Sequence, residues 1–200
     1  MTPYAYVVDG SVLDQRDLDP ADIPAHKASL WKPIVGERPD HDPRSHTCTG
    51  PTLVVGESEV TRTWELADRP LETVRAEALA RLEDARLRTE ALAAAGLPLG
   101  APPPDERKLT LYSAKQEWAR QAKLGDADAQ AHLAGEATAW GLTVDALADA
   151  ILAKALAANT KIALIEADRV VGAGTIALAS TLADMLAAED ASVAAMESRL

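Results

Sequence analysis

The first 70 residues alternate short apolar runs with polar segments, a pattern typical of a small antiparallel sheet. Asp9-Gly10 separates an apolar run at residues 4–8 from a second run at 11–13, and this pair accepts the positive φ of a tight hairpin turn. The polar segments 14–30 and 37–51 are predicted to be loops. Further apolar runs predict strands at residues 30–35, 52–55 and 60–66.

Two tryptophans are the bulkiest apolar residues of this part, and we expect them to form its core. Trp31 lies in the run at residues 30–35, and Trp64 lies in the alternating run at residues 60–66. A module of this length without a disulfide buries little apolar surface. It is therefore expected to depend on a partner or on its own copies.

From Leu71 onwards apolar residues recur every three or four positions, which predicts helices. Asp68 and Pro70 stand where a helix start favours a capping side chain and a fixed φ, and Gly96 marks the end of this first helix. A Pro-rich linker follows at residues 97–108. Three more helices are predicted, at Leu109 to Lys123, from the cap Asp126 to Trp140, and from the cap Thr143 onwards.

Two apolar stripes run along the last predicted helix, on either side of Gly172-Ala173-Gly174. Small residues flank both stripes and would let neighbouring helices approach closely. Two arrangements remain open: a hairpin within one chain, bent at these glycines, or a bundle of parallel chains joined through the stripes. The predicted contact residues are Val144, Leu147, Ile151, Ile162, Ile165, Val171, Leu178, Leu182, Met185, Val193 and Met196.

Together these patterns predict an α+β fold, in which a small N-terminal β-meander precedes a mainly helical part. That helical part is expected to contain a long helix or helical hairpin in an oligomeric bundle. The predicted domains are a β-rich docking module at 1–69, a connecting helix at 70–96, the linker at 97–108 and a helical oligomerisation domain at 109–200.

Composition divides the chain in the same way. Eight of the 12 prolines fall within residues 1–70, whereas 36 alanines fall within 71–200, and Phe is absent. The net charge of −11 disfavours nucleic acids and anionic membranes as partners, because both need clusters of Lys and Arg. The N-terminal residues lack the basic and long apolar segments of a signal peptide, so synthesis in the cytoplasm is expected.

Residues able to carry chemistry are sparse. The sequence contains no dinucleotide-binding, P-loop, zinc-protease or nucleophile-elbow motif. Asp40, His41, Asp42, His46 and Cys48 form a cluster of ligand-type residues, but its spacing matches no standard zinc pattern. A solvated loop is expected there, and neither a metal, a cofactor nor a catalytic residue is predicted. The chain is thus not expected to be an enzyme.

Several segments, in order, resemble phage tail-fibre and tail-tip accessory proteins. They are an opening strand and turn (YAYVVDGSV), LWKPIV at 30–35, RPDHDP at 38–43, VTRTW at 60–64 and DRPLE at 68–72. The C-terminal part is similar to an uncharacterised helical domain attached to phage tail-fibre proteins, through an Ala-Ala-Gly helix end and WGLTVDAL at 140–147. No receptor-binding tip, repetitive β-shaft or depolymerase module accompanies these segments.

The resemblance implies a structural component of a tailed-phage tail: a tail fibre, tail tip or baseplate connector. Such a protein would self-assemble through its helices as a homo-oligomer, most simply a trimer, would dock to other tail proteins, and would be found in the virion tail. The alternative is a tail-fibre assembly chaperone that is not retained in the virion. A third hypothesis is a host regulator or an enzyme whose site forms only in the folded chain.

Overall fold

A computed structural model describes residues 2–200, which form two compact units that divide between Pro70 and Leu71. The first unit holds five strands and the second holds five helices, so the α+β fold is confirmed. Pro70 suits the boundary because its fixed φ and missing N–H fit the start of a helix and cannot extend a strand ladder.

The N-terminal unit is a single curled sheet. Its strands lie in the order β2-β1-β3-β5-β4, and the two edge strands approach each other. Neighbouring strands are antiparallel except β3 and β5, which pair in parallel, so the sheet departs from a simple meander there. The strands are β1 (Thr2–Val8), β2 (Ser11–Leu18), β3 (Trp31–Val35), β4 (His46–Val55) and β5 (Val60–Asp68).

The hairpin predicted at Asp9-Gly10 is confirmed and joins β1 to β2. Asp9 has a φ of 48° and Gly10 a φ of 76°, the positive values that a two-residue turn of this kind requires at both positions. Val12 pairs with Val7 and Asp14 with Tyr6, which leaves Leu13 as an extra residue in a bulge. This explains why the apolar Leu13 side chain is 65% exposed.

Both predicted loops of this unit are shorter than expected. Strand β2 continues to Leu18 and β4 begins at His46, within the segments 14–30 and 37–51 that were predicted as loops. These are the edge strands, whose many polar residues face solvent and therefore hide the strand pattern. Strand β4 also bulges at Gly50-Pro51, a cis peptide bond opposite Trp64, and proline is tolerated at such an edge.

The buried core of this unit consists of small and medium-sized residues, and the prediction of a tryptophan core is corrected. Trp31 and Trp64 are both half-buried. Trp31 packs its ring against Tyr6, at 5.1 Å between centroids, and alternation along β3 puts it on the face opposite Ile34. The buried apolar residues among residues 2–70 are Ala5, Val7, Ile34 and Val60.

The helices of the C-terminal unit after the first begin at side-chain caps, whereas Asp68, the predicted cap of the first helix, is the last residue of β5. The predicted caps Asp126 and Thr143 are confirmed, since each accepts a hydrogen bond from the backbone N–H three residues later. Asp105 does the same, so the second helix begins before the predicted Leu109. The helices are α1 (Leu71–Ala95), α2 (Glu106–Lys123), α3 (Ala127–Trp140), α4 (Val144–Leu178) and α5 (Leu182–Glu197).

Helices α1 and α5 pack against the C-terminal half of α4 around one apolar core. Within this bundle Glu189 of α5 is 4% exposed, and its two carboxylate oxygens accept hydrogen bonds of 2.5 and 2.8 Å from Arg81 of α1. A buried carboxylate is tolerated here because the guanidinium satisfies both oxygens. The largest buried side chains of the core are Leu82, Ile165, Ile176, Met185 and Met196.

Helices α2 and α3 pack against the N-terminal half of α4 in a second core, which includes Leu133 and Leu147. The indole ring of Trp118 stacks on the imidazole of His132 at 4.6 Å. At the end of α2, Lys123 donates to Asp145 and lies 2.8 Å from Asp149, both on α4, and the hydrogen bond to Asp145 raises the pKa of Lys123. These contacts hold α4 on one side along its first half.

The turn expected at Gly172-Ala173-Gly174 is not there. Helix α4 runs unbroken through these residues, and the chain reverses at residues 179–181 instead. Gly172 is buried against α5, where an added Cβ would lie 2.2 Å from Ser192 Oγ, so this glycine permits close approach of the helices. Of the two arrangements left open by the sequence, the structure shows the hairpin within one chain, which α4 and α5 form.

Candidate interaction surface

The ligand-type residues at 40–48 bind neighbouring groups. His41 Nδ1 lies 3.0 Å from the Pro39 carbonyl oxygen, while Asp42 accepts from the Arg44 backbone N–H and pairs with its guanidinium. Within residues 2–200, His, Cys, Asp and Glu side chains form no group of three that could hold a metal ion. Cys48 is half-buried on the edge strand β4.

Ser45, His46 and Asp68 form a constellation that sequence reasoning missed. Ser45 Oγ lies 2.7 Å from His46 Nδ1, and His46 Nε2 lies 3.1 Å from Asp68 Oδ1. The register of β4 and β5 places His46 opposite Asp68, a pairing that is 22 positions apart in the chain. Only a correct prediction of that register would have found this group.

This constellation has the residue types of a catalytic triad but the wrong exposure. Ser45 is 5% exposed, so a substrate has no access to its hydroxyl, whereas the Asp68 side chain is 77% exposed. A triad needs the reverse, an accessible nucleophile and a buried carboxylate that orients the histidine. Arg69 adds a hydrogen bond to the Arg44 carbonyl oxygen. The group therefore closes the open end of the β4–β5 hairpin.

Most of the predicted helix-contact residues lie inside the chain's own cores. Val144, Leu147 and Ile151 pack with α2 and α3, and six others pack in the bundle of α1, α4 and α5. These six are Ile162, Ile165, Leu182, Met185, Val193 and Met196. Helices of the same chain cover these nine residues, four of them fully and five in part, which leaves less of their surface for a second copy. Val171 and Leu178 remain exposed, at 69% and 87%.

The side of α4 that faces away from both cores forms a continuous uncharged surface. We call its residues the outer face of α4, defined as the exposed positions from Leu156 to Leu178. Its large apolar members are Leu156, Leu164, Val170, Val171 and Leu178. Between them lie Ala157, Asn159, Thr160, Ala163, Ala167, Gly174, Thr175 and Ala177. None of these exposed positions carries a charge.

The charged residues of the same stretch lie beside the outer face and pair with groups of the same chain. Lys161 donates to the Leu200 carbonyl oxygen at 2.6 Å, Asp168 pairs with Arg199 at 2.8 Å, and Glu166 pairs with Arg169 at 2.6 Å. All four helix residues in these pairs are less exposed than the apolar residues of the outer face. The second half of α4 is therefore apolar on two sides, with Ile165 and Ile176 in the bundle core and the outer face in solvent.

A charged groove lies between α1 and α4, beside the outer face. The hydrogen bond from Arg86 lowers the pKa of Glu83, and that from Arg169 lowers the pKa of Glu166. Arg86 also bonds Glu90 at 2.7 Å, and weaker contacts of 3.9 Å cross between the helices from Arg86 to Glu166. These cations and carboxylates pair with each other, so the charges that line the groove are already matched within the chain.

Comparisons with known proteins identify no relative of this chain. No helix within residues 2–200 has the length and apolar character needed to cross a membrane. The sequence matches no family model and no curated protein, and the fold matches no solved structure.

Proposed function

We propose that this chain is a structural component of a tailed-phage tail, in a tail fibre, tail tip or baseplate connector. In this role the helical unit self-associates and the N-terminal unit docks to other tail proteins. The proposal starts from the sequence resemblance of residues 4–72 and 140–147 to tail-fibre accessory proteins. It assigns the chain an assembly role in the virion tail and no enzymatic one.

The observation that carries an assembly role is the outer face of α4. Monomeric proteins rarely leave an apolar patch of more than a few hundred Å² in contact with water, and larger patches mark interaction sites. Here five large apolar side chains, from Leu156 at 70% exposed to Leu178 at 87%, line one side of a single helix. In a chain of net charge −11, a surface without charge is suited to contact with another protein.

The N-terminal unit supplies a different kind of surface for docking. Among residues 2–70 the buried apolar core has only four residues, which limits how much stability the unit gains by itself. The face opposite that core carries the half-buried pair Tyr6 and Trp31. Aromatic rings with a polar group at the edge are enriched at protein interfaces, so this pair is our candidate contact to another tail protein.

Mass spectrometry of purified particles tests the proposal directly. We expect peptides from both units in intact virions, at a constant ratio to a known tail protein and in particles washed at high salt. A host protein of similar abundance in the lysate is the control for carry-over. Absence of the chain from washed particles, together with its presence on unassembled fibres, would contradict the proposal and support the assembly chaperone.

A further inference from the structure

We propose that the outer face of α4 binds the same face of a second copy, in an antiparallel pair whose two-fold axis passes beside Ala167. This pair rests on the proposed function only because that function includes self-association of the helical unit. It adds that the partner of the outer face is the outer face of a second copy. The resemblance alone implies a trimer, whereas this surface favours pairs. The area, residue order and charge of the outer face support this pair.

The area of the face is sufficient for a stable interface. The five large side chains expose roughly 500 Å² of apolar surface, and the small residues between them bring the face to about 800 Å², the share of one partner in a standard interface. The face spans residues 156–178, on the order of 33 Å at the rise of an α-helix. Two such faces thus bury about as much as a typical specific complex does.

The order of residues along the face is self-complementary in the antiparallel direction. Leu156 and Leu178, the two most exposed leucines of the face, each lie eleven residues from Ala167. A two-fold axis beside Ala167 therefore places each leucine against the other in the second copy. The same axis places Thr160 against Gly174, seven residues to either side, and Leu164 against Val170.

Small residues at the centre let the two helices approach closely. Ala167 lies at the axis, and an added Cβ on Gly174 would meet nothing within 4 Å, so its surface is open. Ala163 and Ala167 leave room near the axis, and Leu164 and Val170 on either side of it can pack between side chains of the second copy. Antiparallel helices also place opposite ends of their dipoles side by side, which favours this direction over the parallel one.

Charge argues for a second copy over other occupants. A nucleic acid or an anionic membrane would need Lys and Arg around the face, whereas Lys161 and Arg169 bind groups of their own chain. Two copies of an acidic chain repel each other, and an interface without charged side chains at its centre keeps that repulsion at the rim. The face is therefore suited to another protein surface of the same kind.

Disulfide trapping tests the pair and its direction. In a Cys48→Ser background, single variants Thr160→Cys and Gly174→Cys are mixed, allowed to exchange, and oxidised gently. We expect the mixed 160–174 disulfide to exceed either 160–160 or 174–174 disulfide about tenfold, as read by peptide mass spectrometry. Lys154→Cys, which lies on α4 but outside the outer face, is the matched control.

Two results of the trapping experiment would overturn the pair. One is a predominance of 160–160 and 174–174 disulfides, which indicates parallel helices; the other is trapping no better than that of Lys154→Cys. Light scattering of the Cys48→Ser chain provides a readout without new cysteines, and a monomer at tens of micromolar also overturns it. Failure of the proposed function is distinct, because a chain absent from particles can still form this pair.

Discussion

Gly172 shows how a single missing side chain sets the distance between two helices. The residue is buried, and an ideal Cβ at its position would lie 2.2 Å from Ser192 Oγ and 2.5 Å from Ser192 Cβ. Gly174, two positions on, has nothing within 4 Å. The two glycines of one Gly-Ala-Gly sequence therefore differ in role: Gly172 allows α5 to approach α4, whereas Gly174 faces solvent.

We predict that Gly172→Ala destabilises the C-terminal unit although alanine is the better helix former. Overpacking of this kind costs about 1–3 kcal/mol, more than the ~0.5–1 kcal/mol that alanine gains over glycine within a helix. Denaturant unfolding followed by circular dichroism measures the change. Gly174→Ala is the matched control, and we expect it to be neutral or stabilising.

A second substitution, at Ser192, tests whether Gly172→Ala destabilises the unit through close packing against α5 or through some other effect of replacing the glycine. The combination Gly172→Ala with Ser192→Gly removes the atoms that the new methyl group would meet, and we expect it to recover most of the lost stability. Equal stability of Gly172→Ala and Gly174→Ala would contradict the close approach of α4 and α5 at this position.

Helix and strand positions could be predicted from the sequence where the local signal is strong. The hairpin at Asp9-Gly10 and the helix starts after Asp126 and Thr143 are examples, because turn and cap residues act within a few positions. The end of α4 was missed since residues 179–181 contain neither Gly nor Pro. A signal was present in Thr181, whose hydroxyl caps α5 by accepting from the Asp184 N–H.

Contacts between distant elements could not be predicted in the same way. Whether an apolar stripe on α4 faces α5 of its own chain or another copy depends on how tightly the hairpin closes, and no local pattern encodes that. The Ser45–His46–Asp68 group and the half-buried Trp31 have the same origin, because strand register and the choice of sheet face decide them. The fold class was therefore predictable, and the free surface was not.

The ion pairs Arg86–Glu83 within α1 and Arg169–Glu166 within α4 predict that acid weakens the helical unit. Arg86 lowers the pKa of Glu83, and Arg169 lowers the pKa of Glu166, so folding favours both ionised carboxylates. Their contribution to stability is present above the ordinary value of 4.5 and is lost as the pH falls through the lower values of the folded state. We expect the free energy of unfolding to decrease from pH 5 towards pH 3.

Denaturant titrations at several pH values test this dependence. The variant Glu83→Gln/Glu166→Gln should be less stable than the natural chain at pH 6 and should lose less stability on acidification. Glu57→Gln/Glu59→Gln removes the same charge from an exposed turn and is the control. A pH dependence that is parallel in the natural and Glu83→Gln/Glu166→Gln chains would contradict a role for these carboxylates.

At the scale of the whole molecule, α4 has two apolar sides with different uses. One side holds the chain's own cores, which include Leu147 and Ile165, and the other exposes Val171 and Leu178 to solvent. A substitution at Leu182, which packs in the bundle core, would therefore disturb folding and association together. Only the outer face allows association to be changed while the fold is kept.

Leu178→Glu is expected to separate the copies without unfolding the chain. The side chain is 87% exposed, so a glutamate there meets water in the single chain, but in the pair it would meet Leu156 of the other copy. Burying a leucine contributes about 1.5–3 kcal/mol, and two-fold symmetry counts the contact twice, so the Kd should rise at least about a hundredfold. Light scattering over a concentration series should show single chains, with unchanged circular dichroism.

Leu124→Glu, at an 80% exposed leucine after α2, carries the same change of charge and should leave the mass of the assembly unaltered. Equal effects of the two substitutions, or none from either, would mean that copies meet elsewhere.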